Sequence, residues 1–129
     1  MDYRDIIKTK LLRFVDIELV VLYGSILETS RFGPNSDIDI AVFSSNQKLD
    51  KLAILAELHE IDRNIDLVDM KTTNPVLGVQ IIKQHEILIM KNPKIWDSWM
   101  RNMLCQYHDL TIARRDLIRD LGKYSVFGD

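Results

Sequence analysis

A single cysteine, Cys105, stands among the 129 residues, so neither an intramolecular disulfide nor a cysteine metal cluster can form. Its apolar neighbours predict a small buried hydrophobe rather than a nucleophile. No apolar run approaches the roughly 18 residues of a membrane span. The opening MDYRDIIKTKLLRF mixes both charge signs through its apolar residues and carries no signal-peptide core. The expectation is a soluble protein of the cytoplasm. A strong excess of one charge is missing too. The formal net charge of −2 and the pI near 5.9 argue against a mainly electrostatic nucleic-acid binder, and no direct contact with nucleic acid is expected. Internal repeats, low-complexity tracts and an obvious linker are absent, and the length suits one domain with a real core.

What is present is a succession of short patterned segments. Residues 3–15 place Ile6, Ile7, Leu11 and Phe14 at helical spacing. IELVVLY (17–23) is nearly continuous in apolar residues, as in a strand covered on both faces. GSILETSRFGPNS begins helix-like and ends in a Gly-Pro-Asn-Ser turn. DIDIAVF (37–43) alternates with period two, Ile38, Ile40 and Val42 pointing one way and Asp37, Asp39 and Ala41 the other. Residues 48–61 read as a helix. NIDLVDM (64–70) is a third strand, Ile65 and Leu67 opposing Asp66 and Val68. Asn74 caps and Pro75 opens a helix that runs on through Glu86, and ILIM (87–90) closes as a short strand. From Asn92-Pro93 a last helix of about eight turns carries Trp96, Trp99, Met100, Met103, Leu110 and Leu117 at intervals of three and four, until Gly122 stops it. The expected fold class is α/β (α+β): a core over 1–91 and a helical extension over 92–129 packed on the core or on a partner, one domain in all. The two tryptophans make that extension a docking surface as well as core.

Carboxylates are poor strand formers, yet Asp37 and Asp39 stand two apart at the head of one strand, on one face. If the strand carrying Asp66 is its neighbour, three carboxylates converge. Such a cluster repels itself and raises its own pKa values unless a cation compensates. Hard divalent cations prefer carboxylate oxygen, and Mg²⁺ takes one or two carboxylates together with substrate phosphates. Gly24-Ser25, where the preceding strand turns into a helix, lets phosphate approach the backbone. Ser36 flanks the same loop. Asp69 competes with Asp66 for the third position, but parity puts it on the opposite strand face. Arg101 and His108 form an isolated Arg-x6-His pattern with no further support. His59, His85 and His108 lie on separate helices or helix ends without metal-ligand spacing.

The Gly-Ser, spacer, Asp-x-Asp arrangement with a third strand aspartate resembles the nucleotidyltransferase superfamily with the DNA-polymerase-beta-type palm. The small size, NIDLVDM and the helix and strand after it are similar to the minimal nucleotidyltransferases (MNT). CQYHDLTIARRDLIRD resembles the MntA-type antitoxins of prokaryotic HEPN/MNT toxin–antitoxin pairs. The resemblance implies a small palm with a mixed sheet flanked by helices and a long C-terminal helix. It implies two Mg²⁺ ions on Asp37, Asp39 and Asp66, phosphates on Gly24 and Ser25 with Ser36 beside them, and ATP as substrate. The implied activity is transfer of AMP to a tyrosine of a cognate HEPN toxin, with which the protein forms a hetero-oligomer.

Eleven residues separate Ser25 from Asp37, one more than is usual in the MNT antitoxins. Leu27 and Thr29 stand where that family often carries a small residue and a glycine. These departures motivate a second expectation, a non-catalytic antitoxin that masks the toxin by contact. Transfer to a small molecule is a third, disfavoured because the single terminal helix leaves little room for a substrate domain.

Overall fold

The computed structural model describes residues 2–27, 37–45, 48–61 and 63–123. Thr29, Ser36 and the expected Gly-Pro-Asn-Ser turn lie outside the described residues. Four strands, β1 (Ile17–Tyr23), β2 (Ile38–Ser44), β3 (Ile65–Asp69) and β4 (His85–Met90), form one sheet in the order β3-β2-β1-β4. β1 runs antiparallel to both β2 and β4, whereas β2 and β3 are parallel. Four helices complete the described chain: α1 (Tyr3–Leu11), α2 (Lys51–Glu57), α3 (Pro75–Lys83) and α4 (Pro93–Lys123).

The alternation in the strands divides the interior into two cores, one on each sheet face. Val20 and Leu22 of β1, Ile38, Ile40 and Val42 of β2 and Leu67 of β3 meet Ile7 and Leu11 of α1 and Ile54 of α2. On the other face Leu19, Val21 and Tyr23 of β1 and Ala41 of β2 meet Ile81 of α3 and Trp96, Trp99 and Met103 of α4. β1 is therefore buried on both sides, which is why it reads as an unbroken apolar run.

Local chemistry sets the helix limits. Asp2 caps α1 by accepting from the Arg4 amide, Asp50 caps α2 by accepting from the Ala53 amide at 3.1 Å, and Asn74 caps α3 at the Leu77 amide, 2.9 Å. α1 ends at Leu11 rather than continuing to residue 15. The amides of Arg13 and Phe14 turn back three residues, to the carbonyls of Lys10 and Leu11, which tightens the chain into β1. α2 is likewise shorter than its Leu- and Ala-rich pattern predicts. His85 and Glu86 belong to β4, not to the preceding helix; Tyr23 pairs with His85 and Leu22 with Glu86 across the ladder. Arg4 of α1 pairs with the Glu86 carboxylate and ties that helix to the sheet edge.

α4 continues through Gly122 to Lys123. Its first turns belong to the second core, where the Trp99 indole donates to the Met70 carbonyl at 2.8 Å. Both tryptophans are largely buried in the second core, so each leaves only a small part of its surface open to a partner. Farther along, Leu104, Tyr107, Ile112, Leu117 and Ile118 are exposed. Cys105 is exposed too, contrary to the buried role expected of it, because it falls on the solvent side of α4 beyond Met103, the last core residue of that helix. Among the described residues no helix is long and apolar enough to cross a membrane.

Ile40 sits in the central pairing of β2, fully buried. Replacing it with alanine is expected to cost about 2–5 kcal/mol, measured as a lower urea midpoint with little change in slope.

Candidate active site

Parallel pairing of β2 with β3 sets Asp39 directly beside Asp66. Since the next pair in phase is Ala41 with Val68, both carboxylates leave the sheet on the face of the second core. Asp69, the competing third carboxylate, pairs with Val42 and belongs to the opposite phase. It is engaged in a turn: its Oδ1 accepts from the Lys71 amide at 3.0 Å, and its carbonyl accepts from the Thr72 and Thr73 hydroxyls. Asp37 stands one residue before β2, exposed, where the ladder has not begun. The ladder starts with the Ile38 amide donating to the Asn64 carbonyl. Asp37 is nonetheless near enough to act on Asp39 electrostatically.

Asp39 is half-buried, and its pKa is raised, first by burial and then by the negative charges of Asp66 and Asp37. Among the described residues no cation figures among those causes. Tyr23 on β1 pairs with Asp39 from the other side and is buried. Burial, then Asp39 and Asp66, push its phenol far above the ordinary tyrosine value, so it stays protonated and neutral. His85 pairs with Tyr23, and its ring lies 4.8 Å from that of Trp96, with Nδ1 placed 3.0 Å from the Ile82 carbonyl. A row His85–Tyr23–Asp39–Asp66 thus crosses the sheet. Sequence reasoning missed Tyr23; the one signal was an aromatic residue directly before the Gly-Ser pair.

Gly24 follows β1 with φ +83° and opens a 3-10 turn over Gly24–Leu27. A Cβ at this position would run into the Asp39 carboxylate. Glycine is needed there twice over, for the backbone conformation and for the approach of the turn to the acid. Of the residues read as phosphate-binding, Gly24 is thereby brought against Asp39 and Ser25 continues the turn, while Ser36 lies outside the described residues.

Among the described residues no set of three His, Cys, Asp or Glu side chains closes into a metal site by itself. The donor chemistry fits a cation all the same: hard carboxylate oxygens, mutually repelling and without a compensating cation among the described residues, beside the Gly24 turn. Mg²⁺ bound through one or two carboxylates and completed by substrate phosphates has this requirement.

Residues 5–94 match the family described as Polymerase beta, Nucleotidyltransferase. The chain is also similar to solved structures. One is of a toxin–antitoxin with AMP-PNP, 26% identical, TM-score 0.76, covering 92% of this chain and 97% of that one. Another is of the toxin–antitoxin MntA–HepT, 26% identical, TM-score 0.70, covering 92% and 96%. A third, of a tri-AMPylated Shewanella oneidensis HEPN toxin in complex with MNT antitoxin, is 24% identical at TM-score 0.67 and covers 92% and 98%; it speaks to the fold. No curated protein matches the chain.

Gly24→Ala is expected to destabilise the protein by about 1–3 kcal/mol through backbone strain, measured by chemical denaturation. For Asp39 the sign follows from its raised pKa: the folded state binds the proton more tightly than the unfolded chain. The favourable contribution of the residue is therefore complete at low pH and lost as pH rises through the folded value. Asp39→Asn is expected to raise Tm at neutral pH in metal-free buffer. That gain shrinks as the pH falls through the carboxylate range, and a pH series of thermal melts would show it. A uniform gain at every pH would contradict the electrostatic account.

Proposed function

This chain belongs to the polymerase beta nucleotidyltransferase family, and from that premise we propose that it is an antitoxin that transfers AMP from ATP to a tyrosine of a HEPN-type toxin and so silences it. The observation that carries the reading is the in-register pair Asp39–Asp66 with Gly24 packed against it. The similar structures of a toxin–antitoxin with AMP-PNP and of MntA–HepT support the nucleotide and the partner. The cytoplasm, where ATP is abundant, is the setting this reading requires.

In this reading Asp37, Asp39 and Asp66 hold Mg²⁺, two ions by family resemblance. A metal held there would supply charge neutralisation of the triphosphate and polarisation of the α-phosphate. Gly24 and Ser25 keep the turn open to the phosphates, and Ser36 is assigned to them by family resemblance alone. Asp66 lies on β3, the edge strand, and is exposed, so a macromolecular hydroxyl can reach it. It accepts the tyrosine proton as the phenol oxygen bonds to the α-phosphorus. The bond from that phosphorus to the bridging oxygen breaks, and pyrophosphate leaves. Tyr23, neutral and buried behind Asp39, keeps water from that side of the carboxylate. The modified tyrosine gains bulk and negative charge near the toxin's RNA-cleaving site.

A second reading, masking by contact without chemistry, draws on the exposed apolar residues Leu104, Tyr107, Ile112, Leu117 and Ile118 of α4. One experiment separates the two. The protein is incubated with the HEPN-type partner, Mg²⁺ and ATP, and the partner is weighed intact. The expected result is a gain of one or more AMP units, abolished by Asp37→Asn/Asp39→Asn and slowed about 10²–10⁴-fold by Asp66→Asn. A tight complex of unchanged mass would overturn the enzyme and leave the masking antitoxin.

A further inference from the structure

At the far end of the sheet face that carries Asp39 lies an open cleft of about 820 Å³. Phe43 contributes to its lining from β2, four residues beyond Asp39, or roughly 13 Å along the strand. Its floor is apolar, made by Met70, Trp99 and Met103, all of them buried. One wall is a single row of α4, Lys94, Ser98, Asn102 and Gln106, at steps of four residues and exposed throughout. The facing wall is the turn Lys71–Thr72–Thr73 that Asp69 braces through its carboxylate and carbonyl. Lys71 holds its ammonium 5.4 Å from the centre of the Phe43 ring.

The charges of this cleft are one-sided. Among the described residues Lys71 and Lys94 line it and no Asp or Glu does, although the whole chain carries a net charge of −2. An apolar floor with Trp and Met beneath a polar rim is the anatomy of a protein-recognition surface rather than of an enclosed small-molecule site. The cleft is also continuous with the acceptor side of the catalytic edge. Met70 and Lys71 follow directly on β3, the edge strand that carries Asp66. A polypeptide lying along that edge reaches from the cleft to the carboxylates.

We propose that this cleft docks an acidic segment of the acceptor protein, with an apolar side chain resting on the floor of Met70, Trp99 and Met103 and carboxylates on Lys71 and Lys94. The proposal rests on the adenylyl-transfer reading for the identity of the acceptor. It adds a recognition site remote from the chemistry, so that binding at the cleft presents the tyrosine at Asp66.

The test is the full chain carrying Lys71→Glu/Lys94→Glu, alongside Lys71→Met/Lys94→Met, which removes the charge without reversing it. Calorimetry reads affinity for the HEPN-type partner, and a separate titration reads ATP. The expected result is partner affinity lowered about tenfold or more by charge reversal and less by the Met pair, with a flatter salt dependence. KM for the partner rises in proportion, while kcat at saturating partner and ATP affinity stay as in the wild type. Unchanged partner affinity in both variants overturns the proposal. So does binding of poly(U) through the same lysines with the partner's affinity untouched. Calorimetry needs no turnover: a wild type that binds through these lysines but transfers no AMP sinks the adenylyl-transfer reading and upholds the cleft. Transfer with the same partner KM in all three proteins does the reverse.

Discussion

The parallel pairing of β2 with β3 is the constraint on which the other features depend. Parallel neighbours begin at the same end of the sheet, so the acids near their N-terminal ends come to lie abreast. Parallel neighbours also cannot be joined by a tight turn. They need a crossover, which α2 provides on the face of the first core. The opposite face is thereby left to whatever follows β3, and α3 and α4 fill it except where the carboxylates emerge. The same alignment brings the C-terminal ends of β2 and β3 together, and there Phe43 and the Lys71–Thr73 turn meet α4. One choice of strand direction thus places both the carboxylates and the cleft on the same sheet face.

Around the acids the protein accepts an electrostatic cost instead of relieving it. Asp39 is partly buried, faces Asp66 and Asp37, and has a neutral tyrosine for its other neighbour. Carboxylates that serve structure alone are treated differently here: Glu86 has Arg4, Glu60 has Lys10 at 2.9 Å, and Asp69 is absorbed by a turn. Among the described residues, repelling carboxylates coincide with the glycine that opens the backbone, and that coincidence is what the proposed nucleotide site rests on.

Much of this was legible in the order of residues. The two-residue period of DIDIAVF placed Asp39 on the face away from Ile38 and Ile40, and parity separated Asp66 from Asp69, as the ladder has them. Asn74-Pro75 marked the start of α3 to the residue. Other features were not legible, for identifiable reasons. Which strands pair, and in which register, is a long-range property, so the apposition of Asp39 with Asp66 could only be supposed. His85 follows an apolar run of helical spacing, and only its pairing with Tyr23 draws it into β4. The exposure of Cys105 depends on how far α4 outruns the sheet, which its own periodicity does not record.

The neighbours of β1 have a consequence for the order in which the molecule assembles. β2 comes soon after β1 in the chain and can pair with it early, bringing the Asp39 strand into place. β4 is the last strand to be made, yet it must dock against β1 on the opposite side. Until then half of the central strand stands open, with Leu19, Val21 and their neighbours unshielded on the face that α3 and α4 later cover. A ribosome therefore releases the acid-bearing half of this protein well before the tryptophans that seal it. The nascent chain passes through a stage in which its most hydrophobic strand is an exposed edge, the state in which such chains are most prone to stick to one another.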